Sequence, residues 1–155
     1  MLVARSALLL ALCCLTACSS EGSVPYTGPI ETAPFAPALK VDLAASTKLP
    51  SGMYIRDITV GSGPEVQIGQ TISMRYSGAL ITGMVFDATG NKAPYPFQLG
   101  GGRVIEGWER GAIGMRVGGV RQLIIPPALG YGASGMGPIP GNAILVFTVE
   151  VMAAE

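Results

Sequence analysis

The sequence predicts an α+β fold, a twisted antiparallel sheet with one short helix packed on its face. The segments TISMRYSG and AILVFTVEVM alternate apolar and polar residues with a period of two. Clusters rich in glycine and proline separate the alternating runs and mark turns. A single stretch, around Trp108, spaces its apolar residues as a helix does.

Taken in order, MYIRDITV (53–60) reads as a strand, though its alternation is weak, and GSGP from Gly61 to Pro64 turns the chain. In TISMRYSG, Ile72, Met74 and Tyr76 fall on one face and Thr71, Ser73, Arg75 and Ser77 on the other, the pattern of a strand with one wet side. Ile105, Trp108, Ala112 and Ile113 then recur at helical spacing. That segment is barely two turns long and contains Gly107, Gly111 and Gly114, so burial against a sheet must hold it. VGG at Val117 to Gly119 is a turn, GVRQLIIPP a second weak strand, and GASGMGPIPG after Tyr131 a loop. In AILVFTVEVM, Leu145, Phe147, Val149 and Val151 share a face, with Thr148 and Glu150 opposite.

The first residues carry one cation, Arg5, followed by an apolar run too short to span a bilayer comfortably, which is the pattern of a secretory signal over 1–17. The signal ends in Leu15-Thr16-Ala17-Cys18, which resembles the bacterial lipobox, so Cys18 is expected to carry lipid and to begin the mature chain. Cys13 and Cys14 leave with the signal, so neither an intrachain disulfide nor a thiol nucleophile is expected. Residues 18–48 carry repeated prolines, small residues and no sustained period, and read as a flexible tether. Residues 49–155 suit one domain. With 10 Lys and Arg against 10 Asp and Glu the chain has no basic patch that would suit nucleic acid, and it contains no histidine.

In order along this domain, the blocks RYSGAL, VFDAT, PFQLGGGRVIEGWERGAIGMRVGG, LIIPPALGYGASG and IPGNAILVFTVEV resemble the FKBP family of peptidyl-prolyl cis/trans isomerases, the immunophilins that bind tacrolimus and rapamycin. The resemblance implies a half-barrel sheet wrapped around the helix, with an apolar pocket between them and no metal or cofactor. Carried over by position, it makes Tyr76, Phe86, Tyr95 and Phe97 substrate-binding, together with Val104, Trp108, Ile139 and Phe147. It gives Asp87, Tyr131 and the backbone of Ile105 the catalytic roles. Loop 87–94, DATGNKAP, is short for the family and leaves Asp87 without an assigned basic partner, Lys92 being the nearest guess. Met136 stands near where the family often has histidine.

These residue types suit a reaction that breaks no covalent bond. Resonance holds the prolyl amide planar with a barrier of roughly 18–20 kcal/mol, so the enzyme has only to bind the twisted amide better than the planar one. An aromatic socket of Trp108, Phe147, Tyr76 and Phe97 would strip water from the amide and weaken its double-bond character. The Ile105 N–H and the Tyr131 hydroxyl would hold flanking carbonyls, and Asp87 would tune the field. A ten-thousand-fold acceleration asks about 5.5 kcal/mol of these effects. The expectation is a monomeric, lipid-anchored isomerase acting on proline-containing polypeptides and inhibited by macrolides. Ser19 after Cys18 favours the outer membrane, facing the periplasm, with surface display the other placement. The alternative is a membrane-anchored module that binds proline segments, or acts as a chaperone, without turnover.

Overall fold

The computed structural model describes residues 26–155; the expected signal and Cys18 lie outside the described residues. Among the described residues the strands are β1 (Thr47–Lys48), β2 (Tyr54–Thr59), β3 (Thr71–Leu80), β4 (Val85–Ala88), β5 (Tyr95–Gln98), β6 (Val120–Ile125) and β7 (Leu145–Ala154), with one α-helix, α1 (Glu106–Ala112). They form a seven-stranded sheet in the order β1-β2-β6-β7-β3-β4, and β5 also pairs with β3. Every pairing is antiparallel. The expected architecture, an open curled sheet wrapping one helix, is the one observed.

Alternation decides which face each side chain takes. Ile72 and Met74 of β3, Leu123 and Ile125 of β6, and Leu145, Phe147, Val149 and Val151 of β7 form the inner core with Trp108 and Ala112 of α1. The helix lies close on β6 because it presents glycine there. A Cβ added at Gly107 would sit 2.5 Å from the Ile125 side chain, and one at Gly111 2.7 Å from Leu123. Each glycine weakens a helix by about 1 kcal/mol relative to alanine, and this close contact with the sheet offsets that loss.

Arg121, only 5% exposed, fastens the other end of α1. Its Nη1 donates to the carbonyls of Gly111 and Ile113, both at 2.9 Å, and its Nε donates to Asp57 at 2.6 Å. A cation on the last carbonyls of a helix satisfies acceptors that have no partner within it. The chain turns out of the helix at Ile113, whose backbone is extended (φ −57°, ψ 132°). Ile113 was expected on the buried face; it is 51% exposed because the helical face ends one residue earlier.

The expected tether takes a different form from Tyr26 onward. Residues 26–46 lie against the outer face of the sheet, with short 3-10 turns at Ile30–Thr32 and Pro37–Leu39. Ile30 packs with Tyr54, Ile124 and Ile144, and Tyr26, Ala33, Phe35, Val41 and Leu43 close around them. The backbone is tied down as well. The Ala36 N–H donates to the Ile81 carbonyl at 2.8 Å. Buried Gln122 donates to the Leu39 carbonyl and Arg56 to that of Lys40, each at 2.8 Å. Pro29, Pro34 and Pro37 each fix φ at about −65°, which lowers the entropy lost when the segment docks.

Candidate active site

A cavity of about 340 Å³ opens between α1, β3, β4, the loop before α1 and the loop after β6. Trp108 is its floor. The residue sits in the first turn of α1, is 5% exposed, and is ringed by aromatic neighbours. Its ring centroid lies 4.8 Å from Tyr76, 5.4 Å from Phe147, 5.8 Å from Phe97 and 6.4 Å from Tyr95. Phe86 extends the wall, 5.5 Å from Phe147 and nearly perpendicular to it. Edge-to-face contacts of this kind hold ring orientations as well as burying area. The indole N–H is buried and has no partner among the described residues.

Each remaining residue is placed by its local chain. Val104 and Ile105 follow a glycine loop that the helix itself holds, since Glu109 accepts from the N–H groups of Gly100 (2.5 Å) and Gly102 (2.9 Å). The Ile105 carbonyl accepts the Trp108 N–H at 2.9 Å, while the Ile105 N–H donates to no group among the described residues. Tyr131 follows the 3-10 turn Pro127–Leu129 and is pinned by its neighbours. The N–H groups of Gly130 and Gly132 both reach the Pro127 carbonyl, at 3.0 and 2.9 Å. Asp87 projects from β4 and accepts the Tyr76 hydroxyl at 2.6 Å. The chain beyond it is anchored by Thr89, whose N–H donates to the Tyr76 carbonyl at 3.0 Å and whose hydroxyl oxygen accepts the Tyr76 N–H at 3.1 Å.

Both phenols hold their protons more tightly than an ordinary tyrosine. For Tyr76 the causes are burial and then its bond to Asp87; for Tyr131 they are burial and then the negative charge of Asp87. Both therefore remain neutral O–H donors through the ordinary working range of pH. The Tyr131 hydroxyl donates to no group among the described residues, so it and the Ile105 N–H are two free donors on one aromatic cavity.

Of the residues singled out in the sequence, Tyr76, Phe86, Asp87, Tyr95, Val104, Ile105, Trp108, Tyr131 and Phe147 line this cavity. Phe97 and Ile139 do not: each is 4% exposed and belongs to the core behind the lining. Phe97 supports Trp108 from below, and Ile139 is locked to Met136 by two backbone hydrogen bonds of 2.9 Å. Lys92 makes no ion pair with Asp87 among the described residues. Arg103, which sequence reasoning passed over, also lines the cavity, as does Met136. A lone arginine among glycines carries no periodic signal that could have marked it.

Residues 63–152 match the family described as FKBP-type peptidyl-prolyl cis-trans isomerase. The chain is 48% identical over 107 residues to FK506-binding protein 4 of Mycosarcoma maydis, covering 69% of this chain and 28% of that protein. It is 48% identical over 110 residues to FK506-binding protein 4 of Rhizopus delemar, covering 70% and 29%. It thus spans less than a third of the length of these curated relatives. Among solved structures it resembles AtFKBP13 (TM-score 0.67, 38% identity, 71% of this chain and 98% of that one). It also resembles FkpA from Escherichia coli (TM-score 0.67, 34% identity, 72% and 52%).

Proposed function

The chain belongs to the FKBP-type peptidyl-prolyl cis-trans isomerase family, and from that premise we propose that its cavity catalyses rotation about Xaa–Pro bonds of polypeptides. The observation that carries the reading is the pairing of an aromatic floor, Trp108 with Tyr76, Tyr95 and Phe147, with two free donors, the Ile105 N–H and the Tyr131 hydroxyl. A proline ring seated on Trp108 loses the water that favours the charge-separated planar amide. The two donors hold carbonyls on either side, so that binding energy is spent on the twist. Asp87 acts through the Tyr76 hydroxyl, fixing that ring against Trp108 and placing negative charge near the rotating carbonyl. Proton transfer has no part in this scheme, and rates on a non-ionising peptide are expected to be flat between pH 6 and 8. Macrolides of the tacrolimus and rapamycin type occupy the same floor.

Exchange spectroscopy on Xaa-Pro peptides with the full chain in detergent micelles tests the reading. Acceleration abolished by rapamycin is expected. Binding without acceleration would instead favour a proline-binding or chaperone module. Tyr131→Phe is expected to weaken inhibitor binding by about 0.5–1.5 kcal/mol, the worth of one hydrogen bond, and calorimetry reads it directly. Equal affinity would remove Tyr131 from the donor pair.

We further propose that the chain is lipid-anchored at Cys18, in the periplasmic leaflet of an outer membrane, and assists the folding of exported proteins. Leu15-Thr16-Ala17-Cys18 and Ser19 support this reading. Because the fold begins by Tyr26, eight residue steps from Cys18, the anchor would hold the domain within roughly 26–29 Å of the lipid. Cys18→Ser is expected to leave an unprocessed, unlipidated precursor, and mass spectrometry of membrane fractions checks it.

A further inference from the structure

Arg103 stands on the cavity lining with its charge unanswered. It is exposed, and no acid pairs with it among the described residues. The carboxylates around it are already engaged. Glu109 holds the N–H groups of Gly100 and Gly102, Glu106 accepts from Arg110 Nε (2.9 Å) and Nη2 (2.5 Å), and Asp87 accepts from Tyr76. The backbone that carries Arg103 is nonetheless fixed, since the Glu109 bonds and a 3.0 Å bond from the Gly101 N–H to the Gln98 carbonyl hold the loop. A free guanidinium is therefore presented from a rigid loop, two residues before the unpartnered Ile105 N–H. Of the other exposed lining residues, Tyr95 and Met136, 44% and 56% exposed, carry no charge, and Asp87 accepts the Tyr76 hydroxyl.

We infer that Arg103 selects acidic side chains beside the reacting Xaa–Pro bond. The inference rests on the reading of the cavity as a prolyl-peptide site and adds a substrate preference to it. A guanidinium presents paired N–H donors that match a carboxylate, whereas a lysine side chain at the same place in the substrate meets like charge. Neither formal charge on the lining has a counter-charge among the described residues, but Asp87 is turned to the Tyr76 hydroxyl, while the Arg103 guanidinium makes no hydrogen bond to them. The open donors of Arg103 are therefore what a substrate carboxylate can engage. An exposed pair of this kind shifts kcat/KM by about two- to fivefold, and the shift shrinks with added salt.

The test uses the full chain in detergent micelles with four peptides that differ only in the residue before proline: Glu, Gln, Leu or Lys. Both kcat/KM, from exchange spectroscopy, and Kd, from calorimetry, are measured for the wild type, Arg103→Gln and Arg103→Glu, each as a ratio to the Leu peptide. The wild type is expected to favour Glu over Lys by about fivefold at low salt, with the ratio falling toward unity at 0.5 M salt. Arg103→Gln should flatten the ratio and Arg103→Glu should invert it. A Glu-to-Lys ratio that is the same in all three proteins, or a wild type that favours Lys, overturns the inference. Should no peptide be accelerated, the isomerase reading fails, and the Kd ratios still decide whether Arg103 selects by charge.

Discussion

The two faces of the sheet are covered by two different kinds of chain. On the inner face lies α1, a regular helix whose glycines bring it close to β6 and whose tryptophan becomes the floor of a cavity. On the outer face lie residues 26–46, with no repeating pattern, held by Ile30 and its neighbours and by bonds from Gln122, Arg56 and the Ala36 N–H. Both covers bury apolar sheet residues, but only the inner one is continuous with the domain core. The cover that carries the site is fastened at both ends, by Glu109 to the preceding loop and by Arg121 to the sheet. The outer cover packs into a hydrophobic cluster of its own.

The largest expected effect breaks the inner cover. Trp108→Ala removes a buried ring with four aromatic neighbours and should destabilise the domain by about 3–5 kcal/mol, the usual range for aromatic truncation in a core. Inhibitor binding should fall with it. Urea unfolding with the ligand absent and present separates the two losses. A change below about 1 kcal/mol in stability would mean that Trp108 belongs to the cavity and not to the core.

The same contrast explains what the sequence made legible. The alternation of β3 and β7 and the helical spacing around Trp108 are periodic, so the inner face could be assigned from them, Ile113 past the end of the helix excepted. The outer cover could not, because each of Ile30, Phe35, Val41 and Leu43 fills its own gap without a shared period. Strands β4 and β5 are four residues each, too short to display alternation. Arg121 reads as a polar position in a weak strand, and only the fold shows it beneath the end of α1. The cavity was legible through the order of the motif blocks rather than through periodicity. That is why the lining residues Tyr76, Trp108 and Phe147 could not be told from Phe97 and Ile139, which stand one layer behind.

A smaller effect should separate the two covers. Ile30 is 6% exposed in the outer cluster, and truncating a buried isoleucine to alanine costs about 2–5 kcal/mol. If residues 26–46 can detach on their own, Ile30→Ala lowers the protection of the Ala36 N–H against hydrogen exchange by more than tenfold and leaves the β3 and β7 amides unchanged. Equal loss of protection across the sheet would show that the outer cover is part of the same cooperative unit as α1.

The smallest effect concerns the charged clamp on the outer cover. Glu31 accepts hydrogen bonds from the Lys48 ammonium and the Tyr54 hydroxyl, both at 2.5 Å, and these hold its carboxyl down to about 2, against 4.5 when free. A group whose folded pKa is depressed contributes stability that is fully present above its free value and is lost as pH falls through the folded one. The clamp is therefore intact above about pH 4.5 and weakens steadily toward pH 2. Glu31 and Lys48 are both exposed, so the contribution is modest and is screened by salt. Lowering the pH from 6 to 3 should then reduce protection at the Ala36 N–H, corrected for the intrinsic exchange rate, while the inner core keeps its own. In Glu31→Gln the protection should start lower, and its difference from the core should no longer change over that window. If wild type and variant showed the same pH dependence, the carboxylate would not be what fastens the segment, and the outer cover would be held by Ile30 and the Gln122 and Arg56 bonds alone.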